Sequence, residues 1–416
     1  MTKNNETHEV DWLRNIILFL SSQTISLFGS SLVQYAMMWH ITLTTESGSM
    51  MTLYIICGFI PTFLLSPFAG VWADRFNRKQ LIIAADGMIA AATLILALLF
   101  MNGYNDMWLL FAMAAVRALG AAVQTPAVGA ILPQIVPREQ LTSVNGVNSS
   151  VQGVIMFVSP MVSAALLGSI RLEYIFMIDV ITALTAIATL LLLKITTHQK
   201  ATEAQTTSYL EDFLLGVKYV MQNQFLKVFF VFLASFNLLM GPAAFLTPLQ
   251  VTRNYGEDVW RLSAIEIAFS VGMMGGGLAI ASWKGFSNRI KTVGLGCIIM
   301  SLSTIGLGVA PTFWLLLLSM ALFGVAMPVF NTPATVLLQE NVAESYLGRV
   351  FGVLSMISTS MMPIGMLVFG PLADYVEIEW LLLSSGTVLL ALSILLMRHP
   401  ILLKIGAAQE IENRAS

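Results

Sequence analysis

Twelve stretches of about 20 residues, each nearly free of charge, recur along this chain, and that recurrence leaves few folds open. A bilayer core ~30 Å thick is crossed by ~20 mostly apolar helical residues, and its lack of water requires every backbone amide to be satisfied within the segment. Spans are read at residues 14–42, 50–72, 80–102, 107–130, 142–168, 172–194, 225–251, 261–283, 291–309, 312–338, 349–373 and 378–398. The composition is 57% hydrophobic and 11% charged. A soluble domain carries roughly 25% charged residues, so lipid must be the main solvent. The predicted class is an all-α integral membrane protein with 12 transmembrane helices. The apolar run from Arg14 to about Ile41 exceeds the ~7–15 residues of a signal-peptide core, which predicts a retained first helix.

Lysine and arginine orient the spans. Of 21, all but four fall in the termini and the even-numbered loops, among them Arg138, Lys194, Lys284 and Lys291. Arg171, Arg253 and Arg261 lie on the other side, and Arg117 lies within a span. Cytoplasmic loops are the positive ones, so both termini are expected in the cytoplasm of a bacterial inner membrane. A net charge of −2 without a basic stripe excludes nucleic acid as a partner. Cys57 and Cys297 sit apart in apolar runs and four histidines are scattered, which predicts no disulfide, metal or cofactor. No nucleophile elbow, zinc-binding His-Glu-x-x-His or phosphate-cradling glycine loop is present, and no enzymatic activity is expected.

The chain divides in the middle. Residues 1–194 form an N-terminal six-helix half, 195–224 a cytoplasmic linker, 225–398 a second half and 399–416 a cytoplasmic tail. Within the linker, Tyr209, Phe213, Val217 and Met221 keep helical spacing, predicting an amphipathic helix over 208–223 on the inner surface. The halves echo each other. Thr125-Pro126-Ala127 recurs as Thr332-Pro333-Ala334, each preceded by Trp-Leu-Leu at Trp108 and Trp314, and Gly146-Val147 recurs as Gly352-Val353. Halves repeated in this way build a cavity near the bilayer midplane.

The strongest local motif is Gly70-Val-Trp-Ala-Asp74-Arg75-Phe-Asn-Arg78-Lys79, in the short turn between spans two and three. Glycine permits close helix approach, the basic cluster suits an anionic inner leaflet, and Asp74 can meet the N-terminal end of a neighbouring helix. In these residues the sequence resembles the major facilitator superfamily, which implies a major facilitator fold of two pseudo-symmetric six-helix halves and a gating role for Gly70, Asp74, Arg75, Arg78, Lys79 and Arg349. The matching turn at Trp283–Arg289 keeps its basic residues but has no counterpart of Asp74.

Charges inside spans are few and mark function or packing. Arg117 lies near mid-membrane and requires a partner or a wet cavity; an ion pair fixing helix packing is the plain alternative. Depth along the helices brings Asp86 level with it, predicting an Asp86–Arg117 pair or water-bridged contact. Asp179 and Glu266 lie in the outer half of their spans, where a carboxylate can exchange a proton for a cationic substrate, or can sit neutral beside a hydroxyl. His40 can titrate near neutrality or, beside Trp39, serve as an interfacial anchor. The 24 Met and 24 Phe residues suit a deformable pocket, although most must face lipid.

Over nearly its whole length the chain resembles the macrolide efflux proteins, through Ala85-Asp86, Arg117 to Ala127, Leu132-Pro133 to Thr142, Ile265-Glu266-Ile267 and Tyr346-Leu347-Gly348-Arg349-Val350-Phe351. The resemblance implies an antiporter that exports macrolide-like drugs in exchange for protons; a monomer is expected, and the charged residues read above, Asp86, Arg117, Asp179 and Glu266, with His40, are expected at the proton-coupling site or substrate cavity. The expected mechanism has the halves rock about the cavity while Glu266 or Asp179 takes a proton from outside and releases a cationic amine there. Transport of another metabolite, such as a siderophore or sugar, and ligand sensing without transport are the alternatives. A cavity rich in amide and polar aromatic groups would favour the first of these.

Overall fold

A computed structural model describes residues 2–193 and 209–405, apart from the side chains of residues 2–11, 67, 70, 71, 74, 138, 142, 209–212 and 345. Lys194, residues 195–208 of the linker, the tail beyond 405, the surroundings of Gly70 and the side chains of Asp74 and Arg138 thus lie outside the described residues.

The chain is helical in order α1 (Thr2–Thr45), α2 (Gly48–Arg75), α3 (Arg78–Met101), α4 (Met107–Ile135), α5 (Leu141–Leu167), α6 (Leu172–Leu192) and α7 (Tyr209–Gln222). There follow α8 (Gln224–Leu239), α9 (Thr247–Tyr255), α10 (Val259–Trp283), α11 (Arg289–Val309), α12 (Phe313–Asn341), α13 (Glu344–Leu372) and α14 (Ile378–Arg398). Among the described residues 12 spans are long and apolar enough to cross a membrane, α8 and α9 making one of them, so the protein is multi-pass. That composite span departs from the continuous helix expected over 225–251. A π-turn at Pro242–Leu246 interrupts it, because Gly241-Pro242 weakens the helix and proline lacks the amide its turn would use.

Contacts group the chain into two units, one of Met1–Ile41 with Leu53–Ala204, the other of Thr42–Thr52 with Gln205–Ser416. In the first unit, α3 packs on both α4 and α6. Its buried stripe runs through Ile82, Asp86, Ile89, Thr93, Leu96 and Phe100, at the three- and four-residue steps that put side chains on one helix face. Phe100 meets Phe176 of α6 edge to face, with ring centroids 5.5 Å apart. Polar residues thus share a face with the apolar core.

In the second unit, α10 and α12 touch backbone to backbone. A Cβ on Gly272 would collide with the Ala321 carbonyl oxygen, one on Gly276 with that of Val325, and one on Gly324 with that of Phe269. Small residues four apart permit this approach, which replaces bulky interdigitation by broad van der Waals contact. The linker helix α7 docks on α13: Tyr219 stacks on Tyr346 at 4.3 Å, and Gly216 leaves room for the Arg349 carbonyl. The Arg349 guanidinium lies 5.4 Å from the Tyr346 ring centre.

The turn ahead of α2 is also held in this unit. Asp374, just past α13, accepts hydrogen bonds from Gly48 N–H at 2.6 Å, Ser49 N–H at 3.0 Å and the Ser47 hydroxyl at 3.0 Å. Arg253 donates to the Ala373 carbonyl at 2.7 Å and reaches Asp374 at 3.5 Å. A distant carboxylate therefore caps the first turn of α2, satisfying amides that no helical partner can. Partial burial by itself pushes the Asp374 carboxyl up, but the bonds from Ser49, Gly48 and Ser47 prevail and hold it below its ordinary value.

Candidate functional site

A polar ladder inside the first unit joins α1, α3, α4 and α6. Asp86 and Thr93 stand seven residues apart on α3, as do Arg117 and Gln124 on α4, so each pair projects from one face two turns apart. The helices run antiparallel, and the residues meet in crossed order. Gln124 Nε2 donates to Asp86 Oδ1 at 2.7 Å, and Arg117 Nη1 donates to Thr93 Oγ1 at 3.2 Å. Between these rungs Gly120 lets α4 approach Ile89 so closely that a Cβ there would stand 2.5 Å from the Ile89 side chain.

The arginine finds its counter-ion on α6. Arg117 Nη1 lies 2.5 Å from Asp179 Oδ2, and Nη2 donates to the Ser30 carbonyl of α1 at 3.0 Å. The Thr93 hydroxyl lies 3.3 Å from the same Asp179 oxygen and 2.9 Å from the Ile89 carbonyl. The expected Asp86–Arg117 pair is therefore corrected: Arg117 pairs with Asp179. Matching depths placed Asp86 level with Arg117 but ignored the angular position of each side chain about its helix, and that angle turns Arg117 toward α6. Asp86 instead accepts from Gln124 and from Ser26 Oγ at 3.0 Å.

Ser26, Ser30 and Gln124 also line a cavity of about 410 Å³. Its wall is rich in amides, with Gln23, Asn145, Asn148 and Gln152 joining Gln124. Such a volume lies in the range of small-molecule sites. Sequence reading missed Ser26, Thr93 and Gln124; the seven-residue spacings from Asp86 and Arg117 were the signal available. The second unit holds a separate cavity of about 210 Å³ of different character, lined by Met240, Met300, Met327, Met362 and Phe330 with Asn237 and Asn331.

The other predicted residues are dispersed. Glu266 is half-buried on α10 and makes no hydrogen bond or ion pair among the described residues. His40 is half-buried near the end of α1; its neighbour Trp39 is fully buried, with Nε1 unpartnered. In the turn between α2 and α3, Asn77 Oδ1 caps α3 by accepting from the amides of Lys79 and Gln80. Arg78 Nε donates to the Ala73 carbonyl at 2.9 Å and Nη1 to that of Ala130 at 2.7 Å. Lys79 Nζ donates to the carbonyls of Leu191 and Leu193 at 3.0 and 2.7 Å. These two cations satisfy carbonyls near the ends of α2, α4 and α6, so they serve helix termini and not only a lipid surface. Arg75 is exposed. In the second unit Arg289 and Glu340 form a two-pronged pair at 2.9 and 2.6 Å between α11 and α12.

Twelve spans among the described residues and, in the first unit, a polar cavity backed by buried charges are the build of a membrane transporter. The chain belongs to the Major Facilitator Superfamily, whose profile matches residues 16–366 and again 260–401, and within it to the group of the macrolide efflux proteins. It is 28% identical over 386 residues to macrolide efflux protein A of Streptococcus pyogenes, covering 92% of this chain and 95% of that one. It is 30% identical over 322 residues to macrolide efflux protein A of Enterococcus faecalis, covering 77% of this chain and 100% of that one. Among solved structures, a mutant of the nucleoside transporter NupG superposes with a TM-score of 0.70 at 16% identity, over 92% of this chain and 99% of that one, which concerns the fold alone.

Proposed function

We propose that the protein exports macrolide-type or other hydrophobic drugs across the bacterial cytoplasmic membrane in exchange for protons, as a monomer with both termini in the cytoplasm. The observation that carries this reading is the amide- and hydroxyl-lined cavity of the first unit, whose Ser30 and Gln124 belong to the same ladder as the buried charges. A polyhydroxylated drug bearing an amine suits such a wall, since hydroxyls pair with amides and the amine needs a carboxylate within reach. The amide content also suits a sugar or siderophore, and the likeness to macrolide efflux proteins supports the drug reading over these. By alternating access, the cavity would open to one side of the membrane at a time. Exchange of one proton for a singly charged amine moves no net charge, so the pH gradient drives it, and each pH unit supplies ~1.4 kcal/mol, which sustains a drug gradient of roughly tenfold without ATP.

The test is accumulation of radiolabelled erythromycin in drug-sensitive bacteria expressing the chain, with and without a protonophore. Lower accumulation that the protonophore abolishes supports the reading. Unchanged accumulation removes macrolides as substrates.

A further inference from the structure

The first unit holds two buried carboxylates whose surroundings differ in kind. Asp179 has a fixed counter-charge in Arg117 and a hydroxyl in Thr93. Asp86 is 2% exposed and, among the described residues, has no cation partner. Its Oδ1 accepts from two neutral donors, Ser26 and Gln124, while its buried Oδ2 has no partner. A proton carrier must be tolerated with and without its proton. The two donors support the charged form of Asp86, and the absence of a cation leaves nothing to oppose the neutral one. A carboxylate locked to an arginine lacks that balance.

Position adds a second, independent reason. Ser26 and Gln124 both form part of the cavity wall, so Asp86 lies one side chain behind it. Gln23, one helical turn before Ser26 and on the same wall, has a buried Nε2 without an acceptor. The charged group that acts on this corner is Asp179 from α6, itself paired with Arg117 of α4. From α1 the near groups are Gln23, Ser26 and Ser30, none of which titrates.

We propose that Asp86 is the carboxyl group that carries the exchanged proton, with Ser26 as the relay and Gln124 as the positioning residue between it and the cavity. This assignment rests on the proton-exchange reading above and selects within it, against Glu266 and Asp179. In the inward transfer a hydronium in the cavity gives its proton to Ser26 Oγ, and the hydroxyl proton of Ser26 passes to Asp86 Oδ1. One water is released, the serine is regenerated, and the carboxyl changes from charge −1 to 0. The reverse sequence frees the carboxylate for a cationic amine, so proton and drug compete for one charge.

The full chain in proteoliposomes tests this with radiolabelled erythromycin as probe. Failure of the wild type to accumulate the probe under an imposed pH gradient overturns the export reading itself. With an active wild type, Asp86→Asn is expected to lose gradient-driven accumulation, at least tenfold, and to slow exchange of labelled for unlabelled probe, because the amine loses its carboxylate. Asp86→Glu should regain accumulation, and Ser26→Ala should slow its initial rate several-fold. Gradient-driven accumulation by Asp86→Asn at the wild-type level overturns the assignment. Should Asp86→Asn lose exchange as well, probe binding to the purified, monodisperse variant decides. Binding that no longer varies between pH 5.5 and 8.5 supports the assignment, and binding with the wild-type pH profile overturns it.

Discussion

Removing either partner of the Arg117–Asp179 pair should harm the protein far more than removing both. Asp179 is 1% and Arg117 11% exposed, and their atoms stand 2.5 Å apart, so the survivor of a single change stays buried with its charge uncompensated. Breaking such a pair costs about 3–5 kcal/mol, whereas replacing both members with apolar residues of similar volume is close to neutral. The two singles should differ. Asp179→Asn leaves Arg117 the Ser30 carbonyl and the Thr93 hydroxyl, which places it near the lower figure. Arg117→Met leaves Asp179 only the Thr93 hydroxyl, with Oδ1 already unpartnered, which places it near the upper. Arg117→Met with Asp179→Leu should recover at least ~3 kcal/mol of the summed loss. Reversible unfolding in mixed micelles, followed by helical ellipticity, measures all four states of the cycle. Losses that add to within ~0.5 kcal/mol would refute a direct pairing.

Gly276→Leu should prevent α10 from seating on α12 and abolish recovery of monodisperse protein, while Gly275→Leu, where a Cβ meets nothing within 4 Å, should be recovered normally; size-exclusion chromatography separates the two. Asp374→Ala should free the amides of Gly48 and Ser49 and cost roughly 1–3 kcal/mol, read as faster hydrogen exchange in residues 47–52. Because the Asp374 carboxyl is held below its ordinary 3.8, its contribution is complete above that value and is lost as pH falls through the lowered one, so the same protection should fade in the wild type at acidic pH. Tyr219→Ala removes a ring stack worth about 0.5–1.5 kcal/mol and should raise amide exchange across residues 213–222 without altering that of α3.

Much of the architecture was legible because lipid imposes it. Twelve apolar runs became twelve spans, and the repeated Pro126 and Pro333 both lie inside long helices, α4 and α12. The site was legible only in part. Hydropathy reports the depth of a charge but not the face from which it projects, and this sent Arg117 to Asp86 on paper and to Asp179 in the fold. The seven-residue steps from Asp86 to Thr93 and from Arg117 to Gln124 do carry the missing angle, since each pair shares one helix face. The cap on α2 had no local signal, because Asp374 lies 326 residues from the amide of Gly48. The π-turn had one in Gly241-Pro242, masked by an apolar run that reads as continuous.

The glycine seam of α10 and α12 limits what the second unit can do mechanically. Side chains that interdigitate can change rotamer and let helices slip, but main-chain atoms have no such freedom. Screwing α10 forward by one residue, a rise of about 1.5 Å with a rotation of about 100°, would bring Met273 and Gly277 to the places that Gly272 and Gly276 occupy, and a methionine Cβ would strike the Ala321 carbonyl. The two helices must therefore travel as a single stiff strut. Any bending in that half is left to elements such as the interrupted span.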